Sequence, residues 1–160
     1  MADVLTPESR SYCMSQIRGA NTKPELQIRR LLFAYGFRYR LNVATLPGKP
    51  DLVFRRYRAV IFAHGCFWHG HGCHMFKVPE TNQRFWLTKI RKNRLNDARV
   101  RRALRKKGWR ILTIWECALR GKRKLDPSTI ASLAASWIRS ESGSATIRGS
   151  LKHHQRVCRP

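Results

Sequence analysis

Read for its apolar positions, the chain switches between a helical period and a strand period. TPESRSYCMSQIRG (6–19) predicts a first helix: Thr6 can cap it, Pro7 suits its first turn and Gly19 can end it. A second helix begins at TKPE (22–25). There Thr22 and Glu25 have the spacing of a capping box, and Leu26, Leu31, Leu32 and Tyr35 make an apolar stripe before Gly36. FRYRLN (37–42) alternates apolar and basic residues, as a half-buried strand does, and LPGKP (46–50) breaks it. DLVFR (51–55) and AVIFA (59–63) are β-rich runs joined by Arg56, Tyr57 and Arg58, which predicts a hairpin.

Residues 82–107 predict a long, very basic helix ended by Gly108, with Phe85, Trp86, Ile90 and Leu104 among its apolar positions. WRILTIWE (109–116) is apolar enough for a central strand. Asp126 and Pro127 open a last helix, with Ile130, Leu133, Trp137 and Ile138 facing inward. From Glu141 the chain turns Ser/Gly-rich and basic, which predicts one domain over 1–140 and a flexible basic tail over 141–160. Helices and strands alternate irregularly around a sheet, so the fold class is α/β (α+β), in three layers.

Composition narrows the function. A chain of 160 residues, 42% of them hydrophobic, can bury a real core. Lys and Arg number 33 against 9 Asp and Glu, a net charge of +24. Such a surplus on a folded domain points first to nucleic acid, because neutralising phosphates releases counterions; an anionic membrane is the weaker reading. MADVLTPESR lacks the apolar core of a signal peptide, and no run approaches the ~18 apolar residues of a spanning helix. The five cysteines (Cys13, Cys66, Cys73, Cys117 and Cys158) are odd in number and follow no export signal. A reducing, cytosolic compartment is the expectation.

HGCFWHGHGC (64–73) concentrates the chemistry, with three histidines, two cysteines and a Phe-Trp pair among glycines. Structural zinc takes four tetrahedral ligands, commonly thiolate and imidazole. Cys66 and Cys73 flank His69 and His71, and Cys117, at the end of the WRILTIWE strand, is the candidate from elsewhere, unless it is only a buried thiol. Spacing does not choose among His69, His71 and His74. Four protein ligands would leave no position for substrate, which makes the metal structural and leaves at least one histidine for other work. Pro50-Asp51 at a strand start is one half of a nuclease metal motif or simply a turn. Glu25 is the third residue of a helix cap or a site residue. Phe67 and Trp68 are core rings or a wedge, and Trp86 fits a buried stripe equally well.

Together, LPGKPDLVF, VIFAHGCFWHGHGC, FKVP, FW..KI..N and GWRILTIWECALRG closely resemble the very-short-patch repair (Vsr) endonucleases of bacteria, from the N-terminus to about residue 140. The resemblance implies a restriction-endonuclease-like fold, with a central mixed sheet flanked by helices, and a nick 5′ of the thymine in T:G mismatches left by deaminated 5-methylcytosine. It also implies site residues. Asp51 would ligate Mg2+ together with the backbone carbonyl of residue 63, which is Ala63 here where the family can carry Thr. His64 and His69 would stand near the metal, with His69 the base, and Glu25 would belong to the catalytic site. Cys66, His71, Cys73 and Cys117 would hold structural Zn2+, leaving His74 on the surface. Phe67, Trp68 and Trp86 would enter the base stack beside the mismatch, where a wobble pair makes unstacking easier.

Of the many cations of the basic helix, which cannot all meet one duplex, Lys89 and Lys92 are expected on the DNA backbone. Arg10 and Arg18 of the N-terminal arm are expected there too, clasping the duplex from the other groove. The expected setting is a monomer in the bacterial cytoplasm, at the nucleoid, and the resemblance implies mismatch-repair proteins and a repair polymerase as partners. Two other readings compete: a zinc-stabilised DNA-binding module without catalysis, which leaves Asp51 and the surplus histidines unexplained, and a related restriction-type nuclease that cuts intact duplex. Magnesium-dependent nicking separates the first, and dependence on a T:G pair the second.

Overall fold

The computed structural model describes Thr6, Glu8, Ser9, Tyr12 and residues 20–150. Most of the predicted first helix, with Arg10, Cys13 and Arg18, and residues 151–160, with Cys158, lie outside the described residues. The elements are helix α1 (Lys23–Ala34), strands β1 (Arg40–Leu41), β2 (Leu52–Phe54) and β3 (Ala59–His64), helix α2 (Gln83–Lys106), strand β4 (Arg110–Trp115), the short helix α3 (Glu116–Leu119), helix α4 (Pro127–Arg139) and strand β5 (Ser144–Ile147). Among the described residues no helix is long and apolar enough to cross a membrane.

The five strands form one mixed sheet in the order β1-β2-β3-β4-β5. The first three are antiparallel neighbours, and β3, β4 and β5 are parallel. Strand alternation sorts side chains onto two faces. Leu52, Phe54, Ala59, Ile61, Leu112 and Ile114 pack with α1 and α4. Val53, Val60, Phe62 and Ile111 pack with Val100 and Leu104 of α2. By the same alternation, His64 and Trp115, paired in register at the carboxyl ends of β3 and β4, stand on the α2 side.

Three expectations are corrected. The buried face of α1 is Glu25, Ile28, Arg29 and Leu32, whereas Leu26 and Tyr35 are exposed. A buried ion pair, Arg29 Nη2 to Glu25 Oε2 at 3.0 Å, makes that charged face tolerable. Leu133 of α4 is likewise exposed, since the face turned to the sheet is made of Ile130, Ala134, Trp137 and Ile138. The third correction is the tail. Residues 144–147 are strand β5, hydrogen-bonded beside β4, with Ile147 buried. The half-buried guanidinium of Arg110 explains why the chain returns there. It donates to the carbonyls of Tyr57, Trp137, Ile138 and Ser142, tying the end of α4 and the segment after it to the start of β4.

Candidate functional site

The loop after β3 is held from three sides. The Cys66 amide donates to Glu116 Oε2 at 3.2 Å, the Asn93 side chain donates to the Trp68 carbonyl at 2.8 Å, and the His71 amide returns to the Cys66 carbonyl at 2.9 Å. Gly70 makes the turn, with φ of +61°, and a Cβ there would lie 2.8 Å from Ile90 Cγ2. Glycine is thus required for conformation and for space.

This loop brings Cys66, His71 and Cys73 to Cys117 of α3, with the four ligand atoms within 4.8 Å of one another. His71 Nδ1 lies 3.5 Å from Cys66 Sγ and 3.6 Å from Cys117 Sγ. A tetrahedral zinc with bonds of ~2.3 Å to sulfur and ~2.0 Å to nitrogen has an N···S edge of about 3.5 Å, so the donor set and spacing fit that ion. Burial pushes the Cys66 and Cys117 thiols well above their ordinary range, which a cation among them would reverse. Backbone amides complete the surroundings: Met75 donates to Cys73 Sγ at 3.4 Å and Gly149 to Cys117 Sγ at 3.3 Å. A Cβ on Gly149 would lie 2.5 Å from the Cys117 carbonyl oxygen, so the segment after β5 passes against this cluster with no room for a side chain. The His71 ring stacks on Trp115, centroids 4.2 Å apart.

His69 stands outside that cluster. Its Nδ1 lies 2.6 Å from Asp97 Oδ2 on α2, and its ring stacks on His64 at 3.8 Å and 6°. Burial first, and the neighbouring His69 second, bring the pKa of His64 down to about 3, so its ring is neutral at physiological pH. The pKa of Asp97 is also lowered: burial opposes this, but the hydrogen bond and charge of His69 outweigh it. Asp97 was not singled out from the sequence, although it is the lone acid of α2.

Both histidines face a cleft of about 760 Å³ that Glu25, Asp51, Ala63, Phe67, Trp68 and Lys89 also line. Asp51 Oδ2 accepts the amide of Ala63 at 2.7 Å. Burial is the main cause that raises its pKa to about 6, and nearby Glu25 adds to it. A carboxylate so desolvated, with a second carboxylate near it, suits a divalent cation. Glu25 lines this cleft and also closes the helix cap. Thr22 Oγ1 accepts the Glu25 amide at 3.5 Å, while the Glu25 carboxylate takes Thr22 Oγ1 at 2.9 Å, the Asn21 amide at 2.9 Å and Arg29.

Phe67, Trp68 and Trp86 meet at the cleft edge as edge-to-face pairs, Phe67 and Trp86 at 5.4 Å and Trp68 and Trp86 at 6.1 Å. The Lys89 ammonium lies 5.1 Å from the Trp68 centroid, and Lys92 is exposed on α2. His74, expected on the surface, is half-buried; both ring nitrogens are enclosed and, among the described residues, have no hydrogen-bond partner. Its Nε2 lies where a Cβ on Gly121 would come within 2.8 Å, so packing against the 121 turn encloses it.

Residues 2–75 match the family model described as DNA mismatch endonuclease Vsr. The chain is 46% identical over 147 residues to the DNA mismatch endonuclease Vsr of Escherichia coli (strain K12), covering 92% of this chain and 94% of that protein. It is also 46% identical over 136 residues to the type II nicking enzyme V.XorIIP of Xanthomonas oryzae pv. oryzae, covering 80% of this chain and all of that one. Similarity on this scale, over nearly the full length, shows that the chain belongs to the Vsr family of DNA mismatch endonucleases.

Proposed function

We propose that this protein nicks duplex DNA on the 5′ side of the thymine in a T:G mismatch arising from 5-methylcytosine deamination, and so starts very-short-patch repair. The observation that carries the reading is one cleft that gathers Glu25, Asp51, His64 and His69 beside a triad of aromatic rings. A binding module without catalysis would have no use for that gathering.

Asp51 and the main-chain carbonyl of Ala63 would hold Mg2+, which supplies the charge that polarises the scissile phosphate and the attacking water. His69 takes the proton from that water at Nε2. A neutral ring whose Nδ1–H is donated to Asp97 keeps the Nε2 lone pair free. His64 backs that ring face to face and, being neutral, does not compete for its charge. Glu25, fixed by its three donors, adds negative charge beside Asp51 and so favours cation binding. Cys66, His71, Cys73 and Cys117 would hold Zn2+ in a closed, structural role, stiffening the loop that carries Phe67 and Trp68. With Trp86, those rings enter the stack beside the mismatch, where the unstacking toll of a few kcal/mol is lowest. Lys89, Lys92, Arg10 and Arg18 take phosphates. The protein acts as a monomer at the bacterial nucleoid and passes the nicked strand to a repair polymerase, alongside mismatch-repair proteins.

The test is nicking of end-labelled duplexes with Mg2+, comparing T:G with T:A and wild type with Asp51→Ala. The expected result is a single cut, on the thymine strand of the T:G duplex, by wild type alone. Equal cutting of both duplexes would remove the mismatch assignment, and tight binding without cutting would favour the non-catalytic module.

A further inference from the structure

The cations of α2 divide between the two ends of the molecule. Lys89 lies at the cleft, but the last turn of the helix does not. There Arg105, Lys106 and the capping residue Lys107 are exposed; Arg105 donates to Ser144 Oγ at the start of β5, and Lys107 meets the turn between β2 and β3, whose Arg55, Arg56 and Arg58 are also exposed. That meeting is a direct contact. Arg58 Nη2 donates to the Lys107 carbonyl at 2.6 Å, the Arg58 guanidinium lies 4.9 Å from the Trp109 ring centroid, and the Arg110 amide donates to the Arg58 carbonyl at 2.8 Å.

Six cations therefore share one pole, and among the described residues none of them is in an ion pair. The C-terminal dipole of α2 is equivalent to only about half a negative charge, too little to balance them. Nor does the cleft use them. Ala59 pairs with Arg110 at the pole and His64 with Trp115 at the cleft. The five steps between are roughly 17 Å at ~3.3 Å per residue. The two surfaces occupy opposite ends of the central strands.

We infer that this pole is a second, sequence-independent binding site for the phosphate backbone of duplex DNA, so that one protein molecule holds two duplex segments at once. The inference goes beyond the proposed nicking activity and relies on it only in taking the cleft as the seat of the first duplex. Uncompensated arginine and lysine on an exposed surface suit a dense line of phosphates, and the contact carries no base readout. Its use would be transfer between segments, with one held at the pole while another is tested in the cleft.

The test is a bridging assay in Mg2+-free buffer. Wild type is loaded on an immobilised T:G duplex and asked to capture a fluorescent, mismatch-free duplex, and the Arg55→Ser, Arg56→Ser, Lys106→Ser, Lys107→Ser variant is run beside it. Nicking of a short T:G duplex with Mg2+ is measured separately, and sedimentation checks that both proteins remain monomeric. The expected result is capture by wild type, loss of at least about tenfold in the variant, and equal nicking by both. The log–log salt dependence of capture should lose about 0.9 per removed phosphate contact, or roughly 3 to 4 in all. No capture by wild type, or equal capture by the variant, overturns the inference. So does a variant that loses capture and short-duplex nicking together, since the four residues would then serve the first duplex. Nicking reports on the proposed function and capture on the pole, so each can fail without the other.

Discussion

Two clusters of metal-loving side chains meet around the segment 64–73, one completed by Cys117 of α3 and the other by Asp97 of α2, and they differ in what lies around them. Cys66, His71, Cys73 and Cys117 face one another, with backbone amides directed at two of the sulfurs and Gly149 pressed against the neighbouring carbonyl. His64, His69 and Asp97 are as close together, but they open on the cleft. The first arrangement is complete in itself. The second leaves the His69 ring and the half-buried Asp97 carboxylate on the wall of an open cleft. Histidine alone does not decide between the jobs: His69 and His71 are two residues apart, and the turn at Gly70 sends one to a carboxylate on α2 and the other to three thiols.

The sharpest way to break the comparison is to open the closed cluster. In Cys117→Ser, bound zinc measured by emission spectroscopy should fall below one per chain, and the cooperative thermal transition should be lost or shifted far down. Structural zinc contributes on the order of 10 kcal/mol, comparable to the whole stability of a domain. The cleft should behave oppositely. Asp51→Ala is expected to keep the fold and the zinc while lowering single-turnover nicking about 10³-fold, equivalent to ~4 kcal/mol of barrier. A Cys117→Ser protein that melts like wild type would erase the distinction.

A third prediction uses pH. The folded-state pKa of Asp51 is raised to about 6 from an ordinary 3.8. Its contribution to stability is therefore fully present below 3.8 and lost as pH rises through about 6, by at most about 3 kcal/mol. In Mg2+-free protein, the difference in melting temperature between Asp51→Asn and wild type should grow in favour of the variant from pH 4 to pH 7. A pH-independent difference would mean that the carboxylate is not desolvated. The smallest expected effect is that of Asp97→Asn, which keeps a hydrogen-bonding side chain beside His69 but removes its charge. A loss of about 10²-fold in nicking is expected, within the range of general acid–base catalysis. A changed pH profile, with zinc content and melting unaltered, would mark Asp97 as a positioning residue rather than a packing one.

The same contrast explains what was readable from sequence. Strands β2, β3 and β4 and three long helices were, because alternation and capping signals are local: DLVFR, AVIFA and WRILTIWE all became strands, and Thr22 and Pro127 mark helix starts. The cysteines announce a candidate metal site by type and spacing. Family resemblance named His71 where spacing left three histidines open, and the turn at Gly70 brings that histidine to the thiols. What escaped was decided by partners far along the chain. Asp97 looks like a stray acid on a basic helix until α2 crosses the loop. SATI reads as part of a polar tail until Arg110 draws the end of α4 back to β4. Glu25 and Arg29 fall off the apolar stripe of α1, yet their pairing lets that face be buried.

The contact between Asp51 and residue 63 has an evolutionary consequence. The donor is a main-chain amide, and the proposed cation ligand there is the carbonyl of the same residue. Neither is encoded by the side chain. Nineteen of the twenty amino acids carry that amide, and only proline removes it. Mutational drift at this codon can therefore exchange one small residue for another, Ala63 included, without touching the chemistry beside it. Selection acts instead on the strand that presents the backbone, and so on the buried Ile61 and Phe62 that keep it in register.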